Sequence, residues 1–215
     1  MTGPSVFISV EERAVAARRG TWLSRITLAY NAAEGILSIG AGVLAGSIAL
    51  VGFGADSVIE VASSLASLFR LHQDADLDRR ARAERIAVRI VGWSFVALAV
   101  YITIDAGHAL YQQEVPNASI PGLVITTLSV VVMPYLAGQK RRVAATLGSR
   151  ALTADARQTS LCAYLSVIVL AGLFLNATLG WWWADPVAAL AMVPIIAKEG
   201  LDGLRGEAHC DDDCC

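Results

Sequence analysis

Six long apolar segments dominate this chain of 215 residues, and they constrain its fold more than any other feature. A helix needs about 20 predominantly apolar residues to cross the hydrocarbon core of a bilayer. The segments of suitable length cover residues 23–45, 48–70, 87–109, 121–138, 153–175 and 184–201. With 55% hydrophobic residues and a mean hydropathy of +0.55, the chain is too apolar for an ordinary soluble domain. The pattern predicts an all-α, multi-pass membrane protein with six transmembrane helices.

The basic residues predict how these helices are oriented. All 17 Lys and Arg residues lie in or beside the N-terminal segment, the second-to-third connection, the fourth-to-fifth connection or the C-terminal end. Six spans place these regions on the same side of the membrane, and cytoplasmic loops carry the excess of Lys and Arg. We therefore expect both termini in the cytoplasm and a location in the cell (plasma) membrane.

The predicted organisation has three parts. Residues 1–22 form a cytoplasmic N-terminal segment, residues 23–202 form the six-helix transmembrane domain, and residues 203–215 form a cytoplasmic tail. The sequence shows no nucleotide-binding glycine loop and no Ser-His-Asp arrangement, so we expect neither an enzyme nor a bound cofactor. The lipid bilayer is the expected partner of the apolar surface, and no nucleic-acid partner is expected.

Two acids interrupt the second apolar segment, in the stretch GADSVIE. Asp56 and Glu60 are four residues apart, so they share one face of a helix. A charge at the centre of a lipid-facing helix costs about 3 kcal/mol, so both side chains should face the bundle interior. No base is expected there, because Arg157 lies near the cytoplasmic end of its helix and its long side chain can reach outward. The pattern favours binding of a metal ion or a proton over a structural role.

The fifth apolar segment offers further ligands. Asp155, Gln158 and Cys162 are spaced i, i+3, i+7, so they share one helix face. At a rise of ~1.5 Å per residue, Asp56 lies near the depth of Cys162, and Glu60 near that of Gln158. Two carboxylates, one amide oxygen and one thiolate suit a four-coordinate metal site. Asp155 lies in the first turn, where an acid complements the helix dipole, and a role in metal uptake is the alternative.

Two more groups of polar residues are candidates. Glu34 lies near mid-membrane in the first segment and is interpreted as a fifth ligand, a proton carrier or a partner of the site. Asn31, one turn earlier, is either a ligand or a member of an interhelical hydrogen bond. The C-terminal tail contains His209, Cys210, Cys214 and Cys215. Imidazole and thiolate groups suit zinc-like ions, so the tail either captures metal transiently or is an unstructured acidic end.

Three stretches resemble one known family of membrane proteins. GSIALVGFGADSVIEVASS, SRALTADARQTSLCAYLS and WWWADPVAALAMVPIIAKEGLDGL are similar to helices 2, 5 and 6 of the cation diffusion facilitators, which export divalent metals. The resemblance covers about residues 23–202. It implies that pairs of residues four apart on helices 2 and 5 bind the transported ion, and that the protein is a homodimer.

Carried onto this sequence, the family's ion ligands are Asp56, Glu60, Gln158 and Cys162. Helix 5 of better-known members carries His or Asp followed by Asp, where this chain has Gln158 and Cys162. The cytoplasmic metal-binding domain typical of the family is also expected to be lacking, with GEAHCDDDCC in its place.

The resulting hypothesis is export of zinc-like divalent ions from the cytoplasm, by proton antiport and alternating access. Zinc is the first candidate, and cadmium, cobalt, nickel and iron remain open. The alternative is a membrane sensor or regulator that binds metal without transporting it. An intramembrane enzyme based on Cys162 or Glu60 is disfavoured, because no base and orienting group accompany either residue in the sequence.

Overall fold

The computed structural model describes residues 10–72, 77–147 and 150–205. These residues form six helices, and no strand occurs within the described ranges. The helices are α1 (Val10–Ala45), α2 (Ile48–His72), α3 (Leu77–Gln112), α4 (Ile120–Leu147), α5 (Arg150–Leu179) and α6 (Ala184–Arg205). Each predicted apolar segment corresponds to one helix, so the all-α class is confirmed.

Four of the described helical stretches are long and apolar enough to cross a bilayer. They are Arg18–Ala45, Gly92–Gln112, Ile120–Leu147 and Asp155–Leu179. The helices α2 and α6 are not among them, so the count of six spans and the cytoplasmic location of both termini stay predictions. The four stretches are sufficient for a multi-pass membrane protein.

The distribution of polar and apolar side chains is the reverse of that in a soluble bundle. Large apolar side chains such as Leu44 (86% exposed) and Ile36 (72% exposed) cover the outside. Inside lie acids such as Glu34, Asp56 and Glu60, and none of these three is more than 5% exposed. Acids are almost never fully buried in soluble proteins unless they are paired. Apolar groups outside and acids inside match a helix bundle that is surrounded by hydrocarbon.

The helix α2 has a central place in the bundle. It contacts α1, α3, α5 and α6, while α4 packs against both α1 and α5. The pair α3 and α6 lies beside α2 and α5. An apolar core formed by side chains such as Phe53, Ile102, Val169 and Met192 joins these helices. The helices α1, α2, α4 and α5 carry Glu34, Asp56, Glu60 and Asp155 and the buried base that pairs with one of them.

Glycines bring α1 and α2 close together. At Gly54, a Cβ atom would lie 2.8 Å from the backbone nitrogen of Ile39 and 3.0 Å from the carbonyl oxygen of Gly35. Only a residue without a side chain permits that approach. The turn between the two helices is formed by Gly46, whose φ of 69° lies in the left-handed region. The close approach places Glu34 of α1 beside the acids of α2.

The start of α2 is held by an acid from another helix. The carboxylate of Asp185, in the first turn of α6, accepts hydrogen bonds from the Ile48 backbone nitrogen (2.8 Å) and the Ser47 hydroxyl (2.5 Å). The Ser47 hydroxyl also accepts a hydrogen bond from the backbone nitrogen of Leu50 (3.1 Å). A carboxylate at a helix N-terminus satisfies free N–H groups and complements the helix dipole. Asp185 therefore fixes α6 to the beginning of α2.

Candidate ion-binding site

The two acids of α2 lie inside the bundle. Asp56 is 5% exposed and Glu60 is 1% exposed. One Glu60 oxygen, Oε1, accepts a hydrogen bond from the Thr159 hydroxyl of α5 at 2.9 Å. The other, Oε2, is buried and has no hydrogen-bond partner among the described residues. Glu60 thus has one oxygen held by α5 and one oxygen without a hydrogen bond in the described part of the chain.

The helix α1 contributes a row of polar side chains without partners. Asn31, Glu34 and Ser38 are spaced i, i+3, i+7 and are all buried. Within the described part of the chain, neither side-chain atom of the Asn31 amide, nor Glu34 Oε1, nor Ser38 Oγ has a hydrogen-bond partner. The Asn31 amide lies beside Glu60. Because buried polar groups are nearly always hydrogen-bonded, this row makes the buried face of α1 part of the candidate site.

Glu34 joins α1 to α2 and to α5. Its Oε2 atom accepts a hydrogen bond from the Ser57 hydroxyl at 2.9 Å, and the thiol of Cys162 lies 3.7 Å from the same oxygen. The Cys162 thiol is fully buried and close enough to interact electrostatically with Asp56 and Glu60 as well. Counting residues along the helices predicts that Cys162 lies at the depth of Asp56. In the structure, the polar contact of its sulfur is with Glu34.

Gln158 precedes on α5 the residue whose side chain contacts Glu60, and its role as a ligand stays a prediction. Its side chain is half-buried, and its Nε2 atom has no hydrogen-bond partner within the described ranges. The side chain that reaches Glu60 is that of Thr159, the next residue along α5. Thr159 was missed as a site residue, although its spacing gives a signal. It follows Asp155 by four residues and precedes Cys162 by three, so it shares their face.

A buried base lies at one end of the acidic interior. The Nζ atom of Lys140, on α4, is 2.8 Å from Asp155 Oδ2 and 3.0 Å from the Thr159 hydroxyl. The side chains of Lys140 and Asp155 are 0% and 3% exposed. The Ser64 hydroxyl donates to the other Asp155 oxygen at 3.2 Å. The acids of α2 and α5 are therefore connected to an ammonium group inside the bundle.

Two predictions are corrected by this base. The expectation that the interior holds no base is wrong, because α4 continues to Leu147 and places Lys140 inside the bundle instead of in a loop. The role of Asp155 as a helix-dipole residue is also wrong. Since α5 begins at Arg150, Asp155 lies in the second turn, and its carboxylate is paired with Lys140.

The predicted four ligands are not gathered into a closed coordination shell. Among the described residues, no group of three His, Cys, Asp or Glu side chains is close enough to hold a metal ion. Asp56, Glu60 and Cys162 instead lie in one polar interior together with Glu34 and Asn31, while Gln158 is half-buried on α5. Metal binding by these residues stays a prediction. The candidate tail ligands His209, Cys210, Cys214 and Cys215 lie outside the described residues.

These features define a multi-pass helical membrane protein with an acidic interior. Residues 24–206 match the family described as the cation efflux transmembrane domain, and the chain belongs to that family. The resemblance noted in the sequence is confirmed by this match.

Two of the relatives that the chain matches are named as a transporter or a cation-efflux pump. The chain is 28% identical over 176 residues to "Uncharacterized transporter YdbO" of Bacillus subtilis (strain 168), covering 78% of this chain and 60% of that protein. It is 25% identical over 164 residues to "Cation-efflux pump FieF" of Shewanella oneidensis, covering 73% and 55%. It is 28% identical over 138 residues to "Transmembrane protein 163" of Xenopus laevis, covering 64% and 49%. The chain thus spans about half to three-fifths of the length of the curated relatives it matches.

Proposed function

We propose that this domain moves divalent metal cations across a membrane, and that it binds them between α1, α2 and α5. The observation that carries the proposal is the pair of free, buried carboxylate oxygens, Glu34 Oε1 and Glu60 Oε2. A buried carboxylate oxygen without a donor is strongly unfavourable unless a cation or a proton neutralises it. The family match and the relative named as a cation-efflux pump support the same function.

The charges of the interior support a divalent cargo. Glu34, Asp56, Glu60 and Asp155 are buried there, and Lys140 is the buried base among the described residues. Lys140 neutralises Asp155 by a direct ion pair. The remaining carboxyl groups together match one divalent ion and one proton. Asp56 is close enough to interact electrostatically with Glu34 and Glu60, so the surplus charge is shared by one region.

The chemistry of the ligands sets the proposed ion class and mechanism. Carboxylates, an amide and the Cys162 sulfur suit zinc first, with cadmium, cobalt, nickel and iron as other cargo. Carboxyl and thiol ligands must lose protons to hold a metal, so uptake releases protons and protonation favours release. In the proposed mechanism the ion is bound from the cytoplasm and leaves outward in exchange for protons. The helices rock between two open states, in a homodimer.

The experiment is a flux assay with the purified chain in liposomes. A panel of divalent metals is offered with and without a pH gradient, and Asp56→Asn is compared with Asp105→Asn on α3, outside the site. We expect zinc-like ions to move in the wild type and in Asp105→Asn, and Asp56→Asn to lose most of the flux. If no divalent ion moves in the wild type, the proposal is wrong. Metal binding without flux would support the sensor instead.

A further inference from the structure

Lys140 is unusual because the membrane-facing bundle buries its charge completely. Its side chain is 0% exposed, and its Nζ atom contacts one carboxylate and one hydroxyl, those of Asp155 and Thr159. Desolvating an ammonium group costs several kcal/mol, and a single ion pair often fails to repay that cost. The neighbouring basic residue shows the ordinary behaviour, since Arg141 is exposed and bonds Ser160 at 2.6 Å. The burial of Lys140 therefore calls for a role beyond packing.

The contacts of Lys140 lead directly to the candidate ion site. The Thr159 hydroxyl accepts a hydrogen bond from Lys140 and has one proton to donate. Two acceptors are within reach of that proton, Glu60 Oε1 at 2.9 Å and the Asp155 carbonyl oxygen at 3.0 Å. A hydroxyl that accepts from an ammonium becomes a stronger donor, and an ionised carboxylate is the stronger acceptor. The ammonium is thereby linked to Glu60 through one hydroxyl.

Of the two charged side chains of the pair, the Lys140 ammonium is the one linked to Glu60 through a side-chain hydroxyl, that of Thr159. The Asp155 carboxylate bonds Lys140 and Ser64 instead. Lys140 therefore already supplies part of the positive charge that the free Glu60 carboxylate requires. A cargo ion that reaches Glu60 must compete with this charge.

We propose that Lys140 is a tethered competitor of the transported ion: its ammonium stabilises Glu60 when the site is empty, and a divalent ion must displace that interaction to bind. The inference rests on the proposed function, because it concerns the same site. A tethered single charge also discriminates between ions. Potassium and sodium bring no more charge than the ammonium they would replace, whereas a divalent ion brings twice as much. Lys140 is in this sense a positioning residue that sets affinity and charge selectivity.

The test uses a double variant that leaves no charge unpaired. Lys140→Met with Asp155→Asn removes both charges of the pair, and the Asn side chain retains an oxygen for the Ser64 hydroxyl. The purified wild type and variant are titrated with zinc, with and without excess potassium. We expect the Kd of the double variant for zinc to fall about fivefold, which corresponds to ~1 kcal/mol. Potassium should weaken zinc binding in the variant and not in the wild type.

Two further variants make the result decisive. Thr159→Val keeps both charges and removes the hydroxyl link. We therefore expect its Kd for zinc to fall as well, but by less than in the double variant. Arg141→Gln removes the neighbouring exposed charge, and its Kd should match the wild type. A purely structural ion pair changes thermal stability and leaves the Kd for zinc and the effect of potassium unaltered. That outcome, in either Thr159→Val or the double variant, overturns the inference.

The inference and the proposed function fail in different ways. If the wild type transports zinc and the variants bind it with unchanged Kd and potassium sensitivity, only the competitor role is wrong. If the wild type neither binds nor transports a divalent ion, the proposed function is wrong and the competitor role falls with it.

Discussion

The sulfur of Cys162 lies 3.7 Å from the Oε2 atom of Glu34. At this contact α5 provides a soft potential metal ligand, the sulfur, and α1 provides a hard one, the carboxylate oxygen. Glu34 Oε1, on the same carboxyl group, has no hydrogen-bond partner among the described residues. A cation that binds Glu34 thus has a thiol within reach. Thiolates favour zinc and cadmium, while carboxylates also serve manganese and magnesium.

The first prediction concerns ion preference. Replacing the sulfur in Cys162→Ser removes the soft donor and keeps a side chain of similar size. We expect affinity for cadmium and zinc to fall about 10-fold, the lower end of the loss seen when groups around a metal are altered. Affinity for manganese should change little. Titration of each metal in detergent measures this, with Ala163→Ser as the control, and equal losses for cadmium and manganese would contradict the role of the sulfur.

The second prediction separates function from stability at Asn31. Its amide is buried with neither atom hydrogen-bonded among the described residues, so Asn31→Leu removes two unsatisfied groups at similar volume. We expect the thermal midpoint to stay level or rise, while flux of the divalent ion falls about 10-fold, as for other groups that surround a metal. Thermal unfolding and liposome flux are measured on the same preparation. A lower midpoint with normal flux would show that Asn31 serves packing instead.

The third prediction tests the close approach of α1 and α2. A Cβ atom added in Gly54→Ala meets backbone atoms of Ile39 and Gly35, so the helices must separate. We expect a loss of about 1–3 kcal/mol in the free energy of unfolding. Gly40 on α1 is the matched control, because a Cβ atom there meets nothing within 4 Å. Gly40→Ala should be stabilising by up to about 1 kcal/mol through helix propensity, and equal effects at both sites would disprove the contact.

The fourth prediction measures what the buried ion pair contributes to folding. Lys140→Met leaves the Asp155 carboxylate buried without its base, which costs about 3–5 kcal/mol in comparable buried pairs. Adding Asp155→Asn removes the lone charge and should recover most of that loss. Chemical unfolding of the two single variants and the double variant gives the coupling energy. If the double variant is less stable by the sum of the single losses, the two side chains do not act as a pair.

Much of the fold could be predicted from the sequence, because only long apolar segments can cross a bilayer as helices. Each apolar segment became one helix, and the acids of α2 turned inward as the cost of exposing them to lipid requires. The end of α4 was misjudged, since Lys140 begins the run Lys140-Arg141-Arg142, and basic runs usually mark the edge of the membrane. Only the first residue of that run is buried, which depends on how α4 is rotated against α5.

The partners of the acids were less predictable than their burial. The depth of a residue along a helix follows from counting residues, and counting places Gln158 of α5 near the depth of Glu60. Rotation about the helix axis does not follow from counting, and it decides that Thr159 contacts Glu60 while Gln158 lies half-buried beside it. For the same reason Cys162 meets Glu34 from a third helix.

The bonds from Asp185 to Ser47 and Ile48 have a mechanical consequence. They attach the first residues of α2 to α6, so this end of α2 acts as a fulcrum. Glu60 lies ~18 Å along the helix from that point, at ~1.5 Å per residue. With such a lever arm, a tilt of about 10° swings Glu60 sideways by about 3 Å, whereas Ile48 scarcely moves. A small rotation at one end of α2 is thus enough to make or break a contact of the Glu60 carboxylate near the other end.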